Sequence, residues 1–98
     1  MIEGKKYDEG KLRWDLLMWR EMQQVVKVLQ YGANKYDDEN WKYVDRARER
    51  YFSACLRHIT TWWQGEQNDA ETGLSHLAHA ICDLLFLMWF DNEKEKKN

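Results

Sequence analysis

The groups able to do chemistry in this chain are imidazoles and carboxylates. His76, His79 and Asp83 fall at i, i+3 and i+7, which is one face of a helix two turns long. Just before them lies a turn-rich acidic stretch with Glu66, Asp69 and Glu71, and two further candidates, Glu21 and His58, stand upstream. Three ionisable groups on an otherwise apolar helix need partners, because burying them unpaired is costly. Magnesium or manganese would draw on the oxygens of Glu21, Glu66, Asp69, Glu71 and Asp83. Zinc would favour His76, His79, His58 and Cys82. Histidines at this spacing also serve as ordinary ion-pair and capping partners, so spacing alone leaves a metal site and a structural role both open.

The elements that must position these groups are helical. From Trp14 to Tyr31, apolar residues recur every three or four positions (Trp14, Leu17, Met18, Met22, Val25, Val28, Leu29), and Gly32 stands where a C-terminal cap belongs. Glu21 lies on that apolar stripe, either ion-paired inside the fold or aimed at a ligand. Asp45 is placed to cap a second helix reaching Gln64, closed by Gly65, with Phe52, Cys55, Leu56, Ile59, Trp62 and Trp63 on its apolar face. Arg57 and His58 lie on the adjoining face, where they would meet phosphates or pair with Glu21 and Asp83. A third helix from about Leu74 to Asp91 has its start signalled by Asp69, Glu71, Thr72 and Ser75. Residues 1–13 suggest an irregular arm, and 92–98 a frayed charged tail.

No strand-like alternation and no proline interrupt this pattern. The expected fold is all-α, one domain over 1–98 with three long helices. The third helix is apolar around most of its circumference, which three helices cannot cover alone. A helical bundle completed by homo-oligomerisation, as a dimer or higher, is therefore expected.

Composition narrows the partners. The chain has 98 residues, 14% of them aromatic, and a net charge of −2. That aromatic content excludes a wholly disordered chain, and the charge argues against a stable nucleic-acid partner held by phosphate neutralisation. The apolar run of the third helix is broken by His76, His79 and Asp83, so no membrane span is expected. Two cysteines and no secretion signal point to a reduced cytoplasmic setting. The segment from Ala33 to Val44 reads as a connector carrying Lys35, Tyr36, Asn40 and Trp41. These are the ammonium, aromatic and amide groups that phosphate contact, base stacking and base-edge hydrogen bonding use, although the same aromatics can simply pack on the core.

Several blocks are familiar in sequence: KYDEGKLRWDLL, VLQYGANKY, NW, RYFSACLRH and GEQNDAETGLSHLAHA. In that order and spacing they resemble the phage and prophage family of dATP/dGTP diphosphohydrolase N-terminal domains, the MazZ-like proteins, within the broader MazG-like all-α nucleotide pyrophosphohydrolases. The resemblance implies cleavage of a purine deoxynucleoside triphosphate to monophosphate and pyrophosphate. It also implies magnesium or manganese held by acidic residues of two helices, in Glu-x-x-Glu and Glu-x-x-Asp patterns. Carried onto this chain, those positions give Glu21 with an amide, Gln24, after it, and His79 with Asp83 after it.

Two functions follow. In an enzyme, Glu21, Glu66, Asp69 and Asp83 hold the metal, His79 or His58 handles a proton, and Lys35 and Arg57 clamp phosphates. In a non-catalytic binder that sequesters a nucleotide or nucleotide-derived immune signal, Lys35, Tyr36, Asn40, Trp41, Arg57, His58, His76 and His79 serve as binding groups and no metal is needed. The pair Gln23 and Gln24 favours the binder; the acidic loop favours the enzyme.

Overall fold

A computed structural model describes residues 3–96. Three α-helices account for most of it: α1 Trp19–Lys35, α2 Ala47–Trp63 and α3 His76–Lys96. No strand occurs among the described residues, only an isolated antiparallel bridge between Asn68 and Ser75. Short 3-10 turns at Trp14–Leu16 and Asn40–Tyr43 precede α1 and α2. The chain is all-α, with three helices as the periodicity indicates.

The boundaries differ from expectation in instructive ways. Residues 14–16 form the 3-10 turn and not the start of α1, because Leu17 is extended at ψ 133° and breaks the run. Gly32 lies inside α1 and does not cap it; the helix continues one turn further to Lys35. That extra turn brings Lys35 and Tyr36, expected on a free loop, to the end of a helix. Asp45 does not cap α2. Arg46 occupies the cap position in the left-handed region at φ 53°, without a side-chain cap bond. Gly65, at φ +111°, closes α2 as expected, a conformation that a glycine adopts without strain. α3 starts at His76, with Ser75 Oγ accepting from the amides of Leu77 and Ala78 at 3.1 and 3.3 Å. The tail expected to fray is helical through Lys96, and 97–98 lie outside the described residues.

α3 is the hub. α1 and α2 both pack on it and barely touch one another. On the α1 side the core is Val25, Ala78 and Cys82, with Met22, Val28 and Phe86 packed against it. Cys82 Sγ donates to the carbonyl of Val25 at 3.4 Å, tying the two helices. On the α2 side Cys55 Sγ reaches the carbonyl of Ala80 at 3.8 Å. Small residues at both seams let the backbones approach, and they leave a thin core. The Cα radius of gyration is 17.5 Å, against about 13 Å for a compact domain of this length. Much of the apolar surface of α2 and α3 is uncovered, including Phe52, Leu84, Met88 and Trp63, the last 79% exposed. No helix among the described residues is long and apolar enough to cross a membrane.

Because Val25 is 1% exposed and sits at the α1–α3 seam, Val25→Ala should lower the unfolding free energy by about 2 kcal/mol. The exposed Lys27→Ala, two residues along the same helix, should change it by less than about 0.5 kcal/mol. Urea denaturation followed by circular dichroism measures both; equal effects would contradict this seam.

Candidate functional site

Since α1 and α2 diverge across α3, a groove of about 1360 Å³ opens between them. One wall carries Lys35, Tyr36, Asn40 and Trp41; the other carries Arg57, His58, Asp69, His79 and Asp83. These residues, up to 48 positions apart in the chain for Lys35 and Asp83, thus meet in one recess because α3 runs beneath it. Arg46, Arg50 and Thr72 also line it; none of them was assigned to the site from the sequence, where Thr72 was read only as part of the start signal of the third helix. For Thr72 a signal existed: Asp69-x-x-Thr72 ahead of an apolar run is a turn pattern that satisfies backbone amides.

The acidic loop is built around Asp69. Its Oδ1 accepts from the amides of Glu71 and Thr72 at 3.0 and 2.9 Å and from the Thr72 hydroxyl at 3.2 Å. Burial pulls the Asp69 carboxyl up, but the bonds from Thr72 and Glu71, with His79 nearby, outweigh it and hold it below the usual value. Backbone bonds from Asp69 N to Leu74 O (2.8 Å) and His76 N to Gln67 O (3.0 Å) fold the loop back on the start of α3. Thr72 Oγ1 also contacts His79 Nε2 at 2.8 Å. The hydroxyl has one proton. Given to Asp69, it requires His79 to carry its own on Nε2, which leaves His79 Nδ1 as a free lone pair.

A second chain of bonds runs alongside. His76 is 4% exposed; its Nε2 contacts Glu66 Oε2 at 2.6 Å and its Nδ1 faces His58 Nδ1 at 2.9 Å. His58 in turn stacks on His79, with ring centroids 4.5 Å apart and planes within 9°. Burial, then the neighbouring His79 and His76, push His58 down to about 4, and burial lowers His79 as well. Both imidazoles are therefore uncharged at neutral pH.

Asp83 is the exception to this pairing. It is 8% exposed, and its Oδ2 is buried without a hydrogen-bond partner. Burial drives its carboxyl up to about 7, with Arg57 pulling weakly the other way. Arg57 itself bonds Ser53 Oγ at 3.2 Å, and neither it nor His58 forms an ion pair with Asp83 or Glu21.

Other expected groups are placed differently. Glu21 is half-exposed, paired with Arg20 at 3.0 Å, and borders a separate recess with Gln24, Trp62 and Trp63. Glu66 is committed to His76. The four acids expected to share a magnesium ion, Glu21, Glu66, Asp69 and Asp83, do not converge; among the described residues, the group whose ligand atoms lie within 4.8 Å of one another is His58, Asp69 and His76. The donor set therefore does not fit a shared magnesium site of carboxylates. Cys82 is not a zinc donor either, since its thiol faces Val25 and burial pushes it to about 12. His76 is enclosed by Glu66 and His58 and does not line the groove. Trp41 packs face to face on Phe86 at 4.5 Å and edge-on to Trp89, so one ring face is taken by the core. Lys35 bonds Glu71 at 3.2 Å, bridging the two walls.

The family model described as dATP/dGTP diphosphohydrolase, N-terminal, matches residues 1–98. The chain belongs to this family. A dATP/dGTP diphosphohydrolase of Salmonella phage PMBT28 is 36% identical over 93 residues, an alignment covering 95% of this chain and 31% of that relative. The chain thus spans about a third of the length of the relative it matches. No solved structure matches.

The pH response of Asp83 follows from its environment. In metal-free protein its folded carboxyl titrates at about 7, against 3.8 ordinarily. Between those values the folded chain holds a proton that the unfolded chain has lost, so this group's contribution to stability declines as pH rises, and is level above 7. Asp83→Asn removes that decline. The stability difference between variant and parent should be small at pH 4, grow in the variant's favour through pH 7, and reach on the order of 2 kcal/mol at pH 8. Thermal unfolding across this range in EDTA tests it; a difference independent of pH would contradict a buried, unpaired carboxyl.

Proposed function

We propose that the groove binds a purine deoxynucleoside triphosphate, and that the chain supplies this site to a dATP/dGTP diphosphohydrolase yielding monophosphate and pyrophosphate. The observation that carries this is the pairing of walls: phosphate-type cations, Lys35 and Arg57, flank a recess that holds an aromatic and amide segment on one side and uncharged imidazoles on the other. In diphosphohydrolysis a water oxygen attacks the α-phosphorus, the bond from that phosphorus to the bridging oxygen breaks, and pyrophosphate leaves with the electron pair. The water proton needs an acceptor uncharged at neutral pH, and the free Nδ1 of His79 meets that requirement. Asp83, poised at about 7, is the carboxyl able to hold a proton near neutrality and return it. Lys35 and Arg57 orient the triphosphate and offset its charge. Tyr36 and Asn40 are suited to the base, and Trp41 supports that segment from beneath through Phe86.

A second reading has its own support. The separation of Glu21 from Asp83, with Gln24 beside Glu21, favours a chain that binds a nucleotide or nucleotide-derived signal without turning it over. Incubation of the protein with a nucleotide panel, followed by denaturation and mass spectrometry, separates the two. Monophosphate in excess of protein supports hydrolysis; intact nucleotide depleted from solution and returned on denaturation supports sequestration. In either case Lys35→Ala and Arg57→Ala should each weaken binding by roughly 10- to 100-fold. Unchanged affinity in both variants would remove the groove as the binding site.

We also propose that a second copy of the chain covers the open faces of α2 and α3. The extended dimensions and the exposure of Trp63 and Met88 support this. Sedimentation should then give a dimer or higher assembly, and Met88→Glu should shift it toward monomer. A monomer at micromolar concentration would contradict it.

A further inference from the structure

We propose that His58, His76 and Asp69 form a site for a borderline transition-metal ion such as zinc or cobalt, distinct from a magnesium ion carried by a triphosphate. Each offers a ligand atom, and these lie within 4.8 Å of one another. The two Nδ1 atoms of His58 and His76 face each other at 2.9 Å. On a tetrahedral ion with metal–nitrogen bonds of about 2.0–2.1 Å, two such atoms stand about 3.3 Å apart. A separation of a few tenths of an ångström admits the ion. Two imidazole nitrogens and one carboxylate are a donor set that suits zinc, cobalt or nickel better than magnesium. Three protein ligands leave a further position open, and His58 and Asp69 both border the groove.

The surroundings are those of a built site and not of a chance cluster. His76, itself 4% exposed, gives its Nε2–H to Glu66 at 2.6 Å. That fixes the tautomer in which Nδ1 presents its lone pair to the ion, the outer carboxylate arrangement found behind metal-bound histidines. Asp69 spends its Oδ1 on the loop, through Glu71 and Thr72, which orients the carboxylate and leaves Oδ2 for the ion. The Asn68–Ser75 bridge pins this loop to the start of α3, so the three donors come from two rigid elements and a fastened turn. Ion binding asks only that the His58 proton sit on Nε2 and not on Nδ1. His79 lies outside the group whose ligand atoms converge, and its Nε2 is engaged by Thr72.

This inference does not rest on nucleotide binding, and its test uses the metal alone. Purified chain stripped with chelator is titrated with cobalt(II), followed by its visible d–d absorption, and with zinc by calorimetry. One equivalent per chain and the intense bands of a tetrahedral cobalt site are expected. His58→Gln and Asp69→Asn, the latter keeping an oxygen for the loop amides, should each weaken zinc binding at least tenfold, and Glu66→Gln by about 10-fold. Glu21→Gln should bind as the parent does. Circular dichroism checks that each variant is folded; should one not be, the remaining variants and the cobalt spectrum of the parent still decide. Absence of saturable binding in the parent, or parent-like affinity in folded His58→Gln and Asp69→Asn, overturns the site. Nucleotide retention in metal-free protein is scored separately, so either idea can fail alone.

Discussion

Everything in this fold depends on one constraint: α3 is apolar nearly all round, yet it carries His76, His79 and Asp83. An apolar helix must be covered on several sides, and three polar groups along it must each find a partner or lose their charge. α1 covers one side through Val25 and Cys82, and α2 another through Cys55 and Ala80. Because both lie on α3 and not on each other, the covering is incomplete by construction, and the gap between them becomes the groove. The site is a consequence of how the hub is covered.

The three polar groups meet that constraint in three ways. His76 is satisfied on both nitrogens, by Glu66 and by His58. His79 is satisfied on one nitrogen by Thr72 and shielded on one ring face by His58. Asp83 is satisfied by nothing on its buried oxygen and responds by titrating near neutrality. Leaving a carboxyl in that condition costs stability, and the loop in front of it shows that the chain can supply hydrogen bonds where stability is the need: Asp69 receives three on one oxygen. The contrast between Asp69 and Asp83, fourteen positions apart in sequence and lining the same groove, accords with the proposed reading, in which the second meets a ligand and the first also shapes the loop.

Much of this was legible in the sequence, for physical reasons. Apolar spacing marks a helix wherever one face is buried, which is why α1, α2 and α3 were each recognisable. Their ends were less so, because a glycine such as Gly32 is tolerated in a helix when the next turn is held by tertiary contacts, and an aspartate such as Asp45 caps only if the backbone arrives in the right conformation. The grouping of His58 with His76 and His79 depends on how α2 crosses α3, and nothing local encodes a crossing. Glu21 misled for the same reason. Its place on the apolar stripe of α1 was real, since its neighbours Met22 and Val25 do face α3, but the carboxylate emerges at the edge of that stripe, beside Arg20 and away from the groove.

The position of the acids bears on how a triphosphate would be held. A site of clustered carboxylates binds the nucleotide through the metal ions it concentrates, and without them it repels phosphate. Here the groove presents Lys35, Arg46, Arg50 and Arg57 beside Asp37, Asp38, Glu49, Asp69, Glu71 and Asp83, with Lys35 paired to Glu71, Asp83 half neutral near pH 7 and Asp69 partly occupied by its own loop. The groove is thus mixed in sign, and on the proposed reading a triphosphate meets Lys35 and Arg57 while a cation it carries offsets the carboxylates beside them. On that reading, phosphate brought close to Asp83 disfavours its charged form further, so that binding would take up a proton at that carboxyl and leave it a hydrogen-bond donor. The orphaned oxygen of Asp83 would then make its missing bond to a phosphate or to the water beside it, and the stability lost by burying it alone would be recovered when the groove is filled.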